Sequence, residues 1–182
     1  MTHLNRHLIQ LFTCICLLVS LPLLAASKEE IDANVEVALE RFYEESPAGQ
    51  RLAGRSVGML VFPRVVKAGI GIGGEYGEGA LLVDGSPVAY YNTAGASIGF
   101  QLGAQVKSQV ILFMEEDALK NFRSSDGWEA GIDGSVALVE MGTGGEFSTN
   151  SIQNPIIGFI FSNKGLMYNL TFEGSKMTKI ER

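Results

Sequence analysis

The 182-residue sequence predicts an α+β fold, with N-terminal helices followed by a strongly curled or barrel-like, mainly antiparallel β-sheet. Three observations carry this expectation. Apolar residues recur at helical spacing only near the start of the chain, and from residue 57 onward they alternate at period two in short runs. The chain has 22 glycines, well above the roughly 7% of average usage. Many of these glycines sit inside the alternating runs, where a bare strand face lets another backbone approach closely. The length suits one domain.

Residues 1–26 read as a signal peptide. Arg6 and the amino terminus supply positive charge, residues 8–26 are uncharged and mostly apolar, and Ala25-Ala26-Ser27 offers small residues for cleavage. The expected product is a single domain over residues 27–182, periplasmic or secreted. Arg6 is the only charged residue of the leader, so its loss moves the net charge from -6 to -7. Both cysteines (Cys14, Cys16) and both histidines (His3, His7) leave with it. Without them there is no cysteine nucleophile, disulfide, thiolate or imidazole metal site, or histidine-based triad. The acidic balance also argues against nucleic acid as a partner.

Ile31, Val35, Ala38, Leu39 and Phe42 place an amphipathic helix over residues 28–45, with an acidic outer face. Ser46-Pro47 starts a second short helix that runs to about Ala53 and stops at Gly54. Strands are expected at 57–62, ended by Pro63, and at 65–74, where Gly69, Gly71 and Gly73 alternate with Ile70 and Ile72. A turn around Glu75-Tyr76 leads to a strand at 77–83, and Asp84-Gly85 is a hairpin signal before residues 88–91. Alternation resumes at 98–106, and 110–114 is continuously apolar. Glu115-Glu116-Asp117 opens a short helix to about Phe122, where acids suit the N-terminus. A strand at 128–138, a turn-rich loop at 141–154, and a hairpin of 156–161 and 166–172 turning at Asn163-Lys164-Gly165 complete the pattern, before a short terminal segment.

No motif here specifies a reaction. Gly69 to Gly74 satisfies G-x-G-x-x-G, but a dinucleotide site would need a helix to start there and the chain instead continues as strand. Glu75 and Glu78 could be drawn as an acid/base pair, yet two glutamates in a glycine turn more simply face solvent or hold backbone N–H groups. The Glu115–Asp117 acids are explained by a helix first turn rather than a metal. Asn169 fits a glycosylation sequon but lies in an expected strand. Neither enzyme activity, metal nor cofactor is expected. An eight-stranded outer-membrane barrel fits the length, but not the N-terminal helices or the Lys-Ile-Glu-Arg ending.

Charge is unevenly spread. Glu29, Glu30, Asp32, Glu36, Glu40, Glu44 and Glu45 crowd one segment with Arg41 as the sole base. Residues 46–67 then carry Arg51, Arg55, Arg64 and Lys67 with no acid. These four bases either neutralise the acidic helix or contact lipid phosphates.

From residue 57 the chain resembles the SYLF-domain family, lipid-binding modules of bacterial exported and eukaryotic membrane-trafficking proteins. The resemblance rests on VGMLVFPRVVKAGIGIGGEYGEGALL (57–82), TAGASIGFQLGAQVKSQVILFM (93–114) and FSNKGLMYNLTFEGSKM (161–177). It implies one β-rich domain without catalytic activity that binds phospholipid or a membrane surface; for such binding the basic segment offers Arg51, Arg55, Arg64 and Lys67 as candidate head-group contacts. Eukaryotic members bind phosphoinositides through a basic helix and some fungal members bind actin. The corresponding helix here is acidic, and actin is not an expected partner of an exported protein. The alternative is an envelope structural or protein-interaction module without a lipid ligand.

Overall fold

The computed structural model describes residues 26–140, 153–165, 172 and 174–182. The expectations for the leader, the sequon at Asn169, most of the 141–154 loop and most of the 166–172 strand fall outside these residues.

Helix α1 spans Lys28–Glu45. The Ser27 hydroxyl accepts from the Glu30 backbone N–H at 3.2 Å, and Glu29 and Glu30 sit in the first turn, where the exposed N–H groups favour negative charge. Helix α2, Pro47–Ala53, starts with Ser46 as N-cap (its Oγ accepts from Gly49 N–H at 3.0 Å) and ends at Gly54. Both helices match the sequence expectation. Ile31, Val35, Ala38 and Phe42 of α1 are buried, the spacing that puts them on one face.

Two long strands dominate the rest. β1 (Gly58–Val83) and β2 (Ser86–Phe113) form one antiparallel hairpin from Gly58↔Phe113 to Val83↔Ser86. Asp84 and Gly85 close it with φ of 50° and 75°, the positive pair that a type I′ turn needs. The expected strand end at Pro63 is corrected to an irregularity between Phe62 and Val65, where the ladder shifts register and continues. The expected turn at Glu75-Tyr76 is also corrected: both residues pair in the ladder, and a second shift falls between Ile70 and Ile72. Such irregularities let a long strand bend without ending it.

β2 shares its other edge between two strands. β5 (Ile156–Gly165) pairs with residues 105–113 and β6 (Ser175–Ile180) with residues 90–95, both antiparallel. Asn163-Lys164-Gly165 is therefore part of a strand rather than a turn, and the terminal segment is a strand. Helix α3, Glu116–Ser124, carries Glu116 and Asp117 in its first turn. The expected strand over 128–138 is broken into β3 (Trp128–Glu129), a turn bridged by Ala130↔Gly134, and β4 (Ala137–Glu140), which pairs parallel with β5. The α+β class and the curled, mainly antiparallel sheet are as expected.

The curl divides the core in two. Inside it, Leu60, Phe62, Val65, Leu81, Tyr91, Ile111 and Phe113 meet Phe122 of α3, Trp128 and Phe172. Outside it, Met59, Val61, Ala80, Leu82, Val110, Leu112, Phe159 and Phe161 pack under α1 and α2. Phe42 is the pivot of this outer layer, with ring contacts to Phe159 and Phe161 at 5.0 and 5.6 Å. Tyr90 ties α1 to the sheet, donating its hydroxyl to Asp32 at 2.8 Å.

Glycine permits the curl. A Cβ on Gly77 would lie 2.7 Å from the Arg64 carbonyl oxygen, and one on Gly79 would run into the Val61 carbonyl. The second arm of β1 thus lies directly against the backbone of the first.

Candidate functional site

Helices α1 and α2 cover only part of the sheet's outer face. Beyond them, the outward positions of β1 are Val66, Ala68, Ile70, Ile72, Gly74 and Tyr76, all exposed or half-buried. Ile70 and Ile72 are 80% and 71% exposed. On β2 the ladder sets Ala94, Ala96, Ala104 and Val106 opposite Tyr76, Gly74, Ala68 and Val66, and these too are exposed or half-buried. The result is an uncharged apolar face on strands whose inward positions at the bend are glycines, the separation that the alternation predicted. That the isoleucines would lie uncovered was not foreseen, although helices ending at residue 53 leave little chain to cover them.

Arg64 stands at one end of this face. It lines a groove of about 640 Å³ together with Glu30, Asn34, Tyr76 and Glu78. Glu78 accepts from the Tyr76 hydroxyl at 2.7 Å and pairs with Arg182 at 2.6 Å. Arg51 and Arg55 are exposed at the end of α2 and just after it. Lys67 differs from all three, being only 6% exposed. The four bases singled out in the sequence therefore do not form one surface: three are outside and one is inside.

The interior around Lys67 is polar. Lys107, 1% exposed, pairs through Nζ with Glu75 Oε2 at 3.0 Å. The other oxygen of Glu75 accepts from the Ser175 hydroxyl at 2.6 Å. Glu75 thus holds a buried ion pair and a hydroxyl, in place of a solvated turn. Burial pushes the Lys107 ammonium below the usual lysine range; Glu75 partly offsets this and the nearby Lys67 charge adds to it. Thr93, Gln105 and Gln109 are fully buried in the same half of the interior. Gln105 Nε2 donates to Asn163 Oδ1 at 2.7 Å.

Sequence reasoning missed this cluster because of the irregularity at Pro63. Unbroken alternation from the inward Leu60 and Phe62 would turn Lys67 outward. The extra residue between Phe62 and Val65 reverses the parity, so Val65 and Lys67 face in.

Among the described residues no helix is long and apolar enough to cross a membrane, and no group of acidic residues is arranged to hold a metal ion. No curated protein matches the chain. Residues 94–181, just under half of the chain, match the family described as Ysc84, "Las17-binding protein actin regulator", which is consistent with the resemblance to SYLF domains.

Proposed function

We propose that the chain is an exported, non-enzymatic phospholipid-binding domain that acts peripherally at the bacterial cell envelope. The uncovered apolar face at Ile70 and Ile72 is the observation that carries this reading. Contiguous exposed apolar surface on a folded domain marks a binding face, and a bilayer interface suits a face that is apolar and uncharged with a cation at its margin. Arg51, Arg55 and Arg64 serve as the head-group contacts. Each base close to an anionic surface contributes about 1 kcal/mol. Glu30 and Glu78 flank Arg64 in its groove, so the apolar face supplies more of the attraction than the bases do.

Co-sedimentation with phosphatidylglycerol-containing vesicles tests the reading. The wild-type chain is expected to sediment with vesicles, and the double variant Ile70→Asp/Ile72→Asp to lose at least tenfold in affinity. Reversing Arg51, Arg55 and Arg64 to Glu is expected to weaken binding further as salt falls, since screening then diminishes. Absence of vesicle binding by the wild type, or equal binding by the double variant, would refute it. A protein-interaction module at the envelope is the alternative. The family's description speaks of Las17 binding, and the same apolar face would then receive a protein.

A further inference from the structure

The groove beside Arg64 has the size of a ligand site. Its volume of about 640 Å³ falls within the roughly 300–1,000 Å³ of small-molecule pockets. One wall is the start of α1, with Glu30 and Asn34, and the other is β1, with Arg64 and Glu78. Val66, Ala68 and Gly74 line it too, and the same three residues belong to the uncovered apolar face. A molecule seated in the groove would therefore run directly onto that face.

Both signs of charge meet there. Arg64 is exposed and makes no ion pair among the described residues, so its guanidinium is available to a phosphate, whose geometry it matches. Acceptors are more plentiful. Glu30 is exposed and also without an ion pair among the described residues, and Asn34 adds an exposed amide. Glu78 Oε1 accepts from the Tyr76 hydroxyl and from Arg182, while Oε2 is buried with no hydrogen-bond partner. The remaining acid, Glu75, is already engaged by Lys107 and Ser175.

A buried acceptor without a donor is costly, and this groove is short of donors. A wholly anionic group would bring none and would meet Glu30 and Glu78 as like charges. A phosphate joined to a primary ammonium matches both ends, because the ammonium donates three hydrogen bonds to carboxylate and amide oxygens. A trimethylated ammonium donates none and is held by an aromatic cage, whereas Tyr76 is the single aromatic residue lining the groove.

We propose that the groove receives the head group of a zwitterionic aminophospholipid of the phosphoethanolamine class. Arg64 holds the phosphate, Glu30 and Glu78 hold the ammonium, and the acyl chains leave along Val66 and Ala68 toward Ile70 and Ile72. The proposal rests on the bilayer reading above and adds a lipid class to it.

Co-sedimentation with three sets of vesicles tests it: phosphatidylcholine alone, and phosphatidylcholine mixed with phosphatidylethanolamine or with phosphatidylglycerol, all with the same acyl chains. The wild type is expected to bind the phosphatidylethanolamine vesicles about fivefold more tightly than phosphatidylcholine alone, the upper end for one exposed ion pair. Glu30→Gln/Glu78→Gln is expected to lose this preference and to bind phosphatidylglycerol vesicles more tightly, since two like charges are gone. Glu30→Gln alone, which leaves the Arg182 pair in place, is expected to move both affinities in the same directions. Equal binding to phosphatidylethanolamine and phosphatidylcholine vesicles, by a wild type that still binds phosphatidylglycerol vesicles, overturns the head-group assignment and leaves the bilayer reading standing. A phosphatidylethanolamine preference that survives in both variants also overturns it, because the preference then comes from bilayer packing and not from the groove. Failure to bind vesicles of any composition overturns both readings.

Discussion

At Gly79 the absence of a side chain is a steric requirement, because a methyl group there would collide with the Val61 carbonyl. Backbone on both sides leaves little room to yield. Gly79→Ala is expected to cost about 3 kcal/mol, the upper end for overpacking, and denaturant unfolding measures it; an unchanged midpoint would contradict the close approach. Tyr90 makes a different prediction. Burial, reinforced by the Asp32 carboxylate, pushes its hydroxyl up to about 12. The neutral phenol is thus favoured by folding, so its stabilisation is complete below the unfolded value near 10 and is lost as pH rises from there through 12. In Tyr90→Phe the stability is expected to fall less steeply with pH over that window, as read by unfolding at pH 9 to 12. At this scale glycine was legible and lysine was not. Gly69 and Gly73 show their packing role in the spacing alone, whereas the facing of Lys67 depends on a single extra residue at Pro63 that period-two patterning cannot register.

Among elements, α1 was legible from its apolar spacing, and the acidic first turn and Ser27 cap that the structure adds agree with it. Its hold on the sheet centres on Phe42, which is completely buried against Phe159 and Phe161. Phe42→Ala is expected to cost about 4 kcal/mol, with earlier proteolysis near residue 45 as a second readout; a loss under 1 kcal/mol would show that α1 is not anchored there. Strand boundaries were less legible. Pro63 and Glu75-Tyr76 carry turn chemistry, yet the sheet continues through both because bulged and bent strands tolerate residues that interrupt flat ones. β6 has only six residues, Ser175–Ile180, and alternates buried and exposed positions through Ser175 and Met177. Its lysines mask that alternation in the sequence.

For the whole molecule, one sheet serves two environments. Its curl encloses an apolar half and a polar half, and α1 and α2 shield only one region of the outside. The sequence made the curl legible through glycine content, but it could not show which surface the helices leave bare, since that depends on where α1 docks. The aspartate pair at Ile70 and Ile72 therefore tests a property of the assembled fold: vesicle affinity should fall while Tm stays within about 1 °C, because exposed sites contribute little to stability. Loss of both together would place those isoleucines in the core instead. The hairpin also has a consequence for how the chain reaches this shape. Partners are 3 residues apart at Val83–Ser86 and 55 apart at Gly58–Phe113, and the separation rises between them in small steps, the widest at the register shifts. Each rung brings the next pair within reach, so the ladder can close like a zipper from Asp84-Gly85 and never has to seal a large loop in one step. The two strands that set the final architecture are thereby joined through their most local contacts first, and the N-terminal helices and β6 can dock onto a scaffold that already exists.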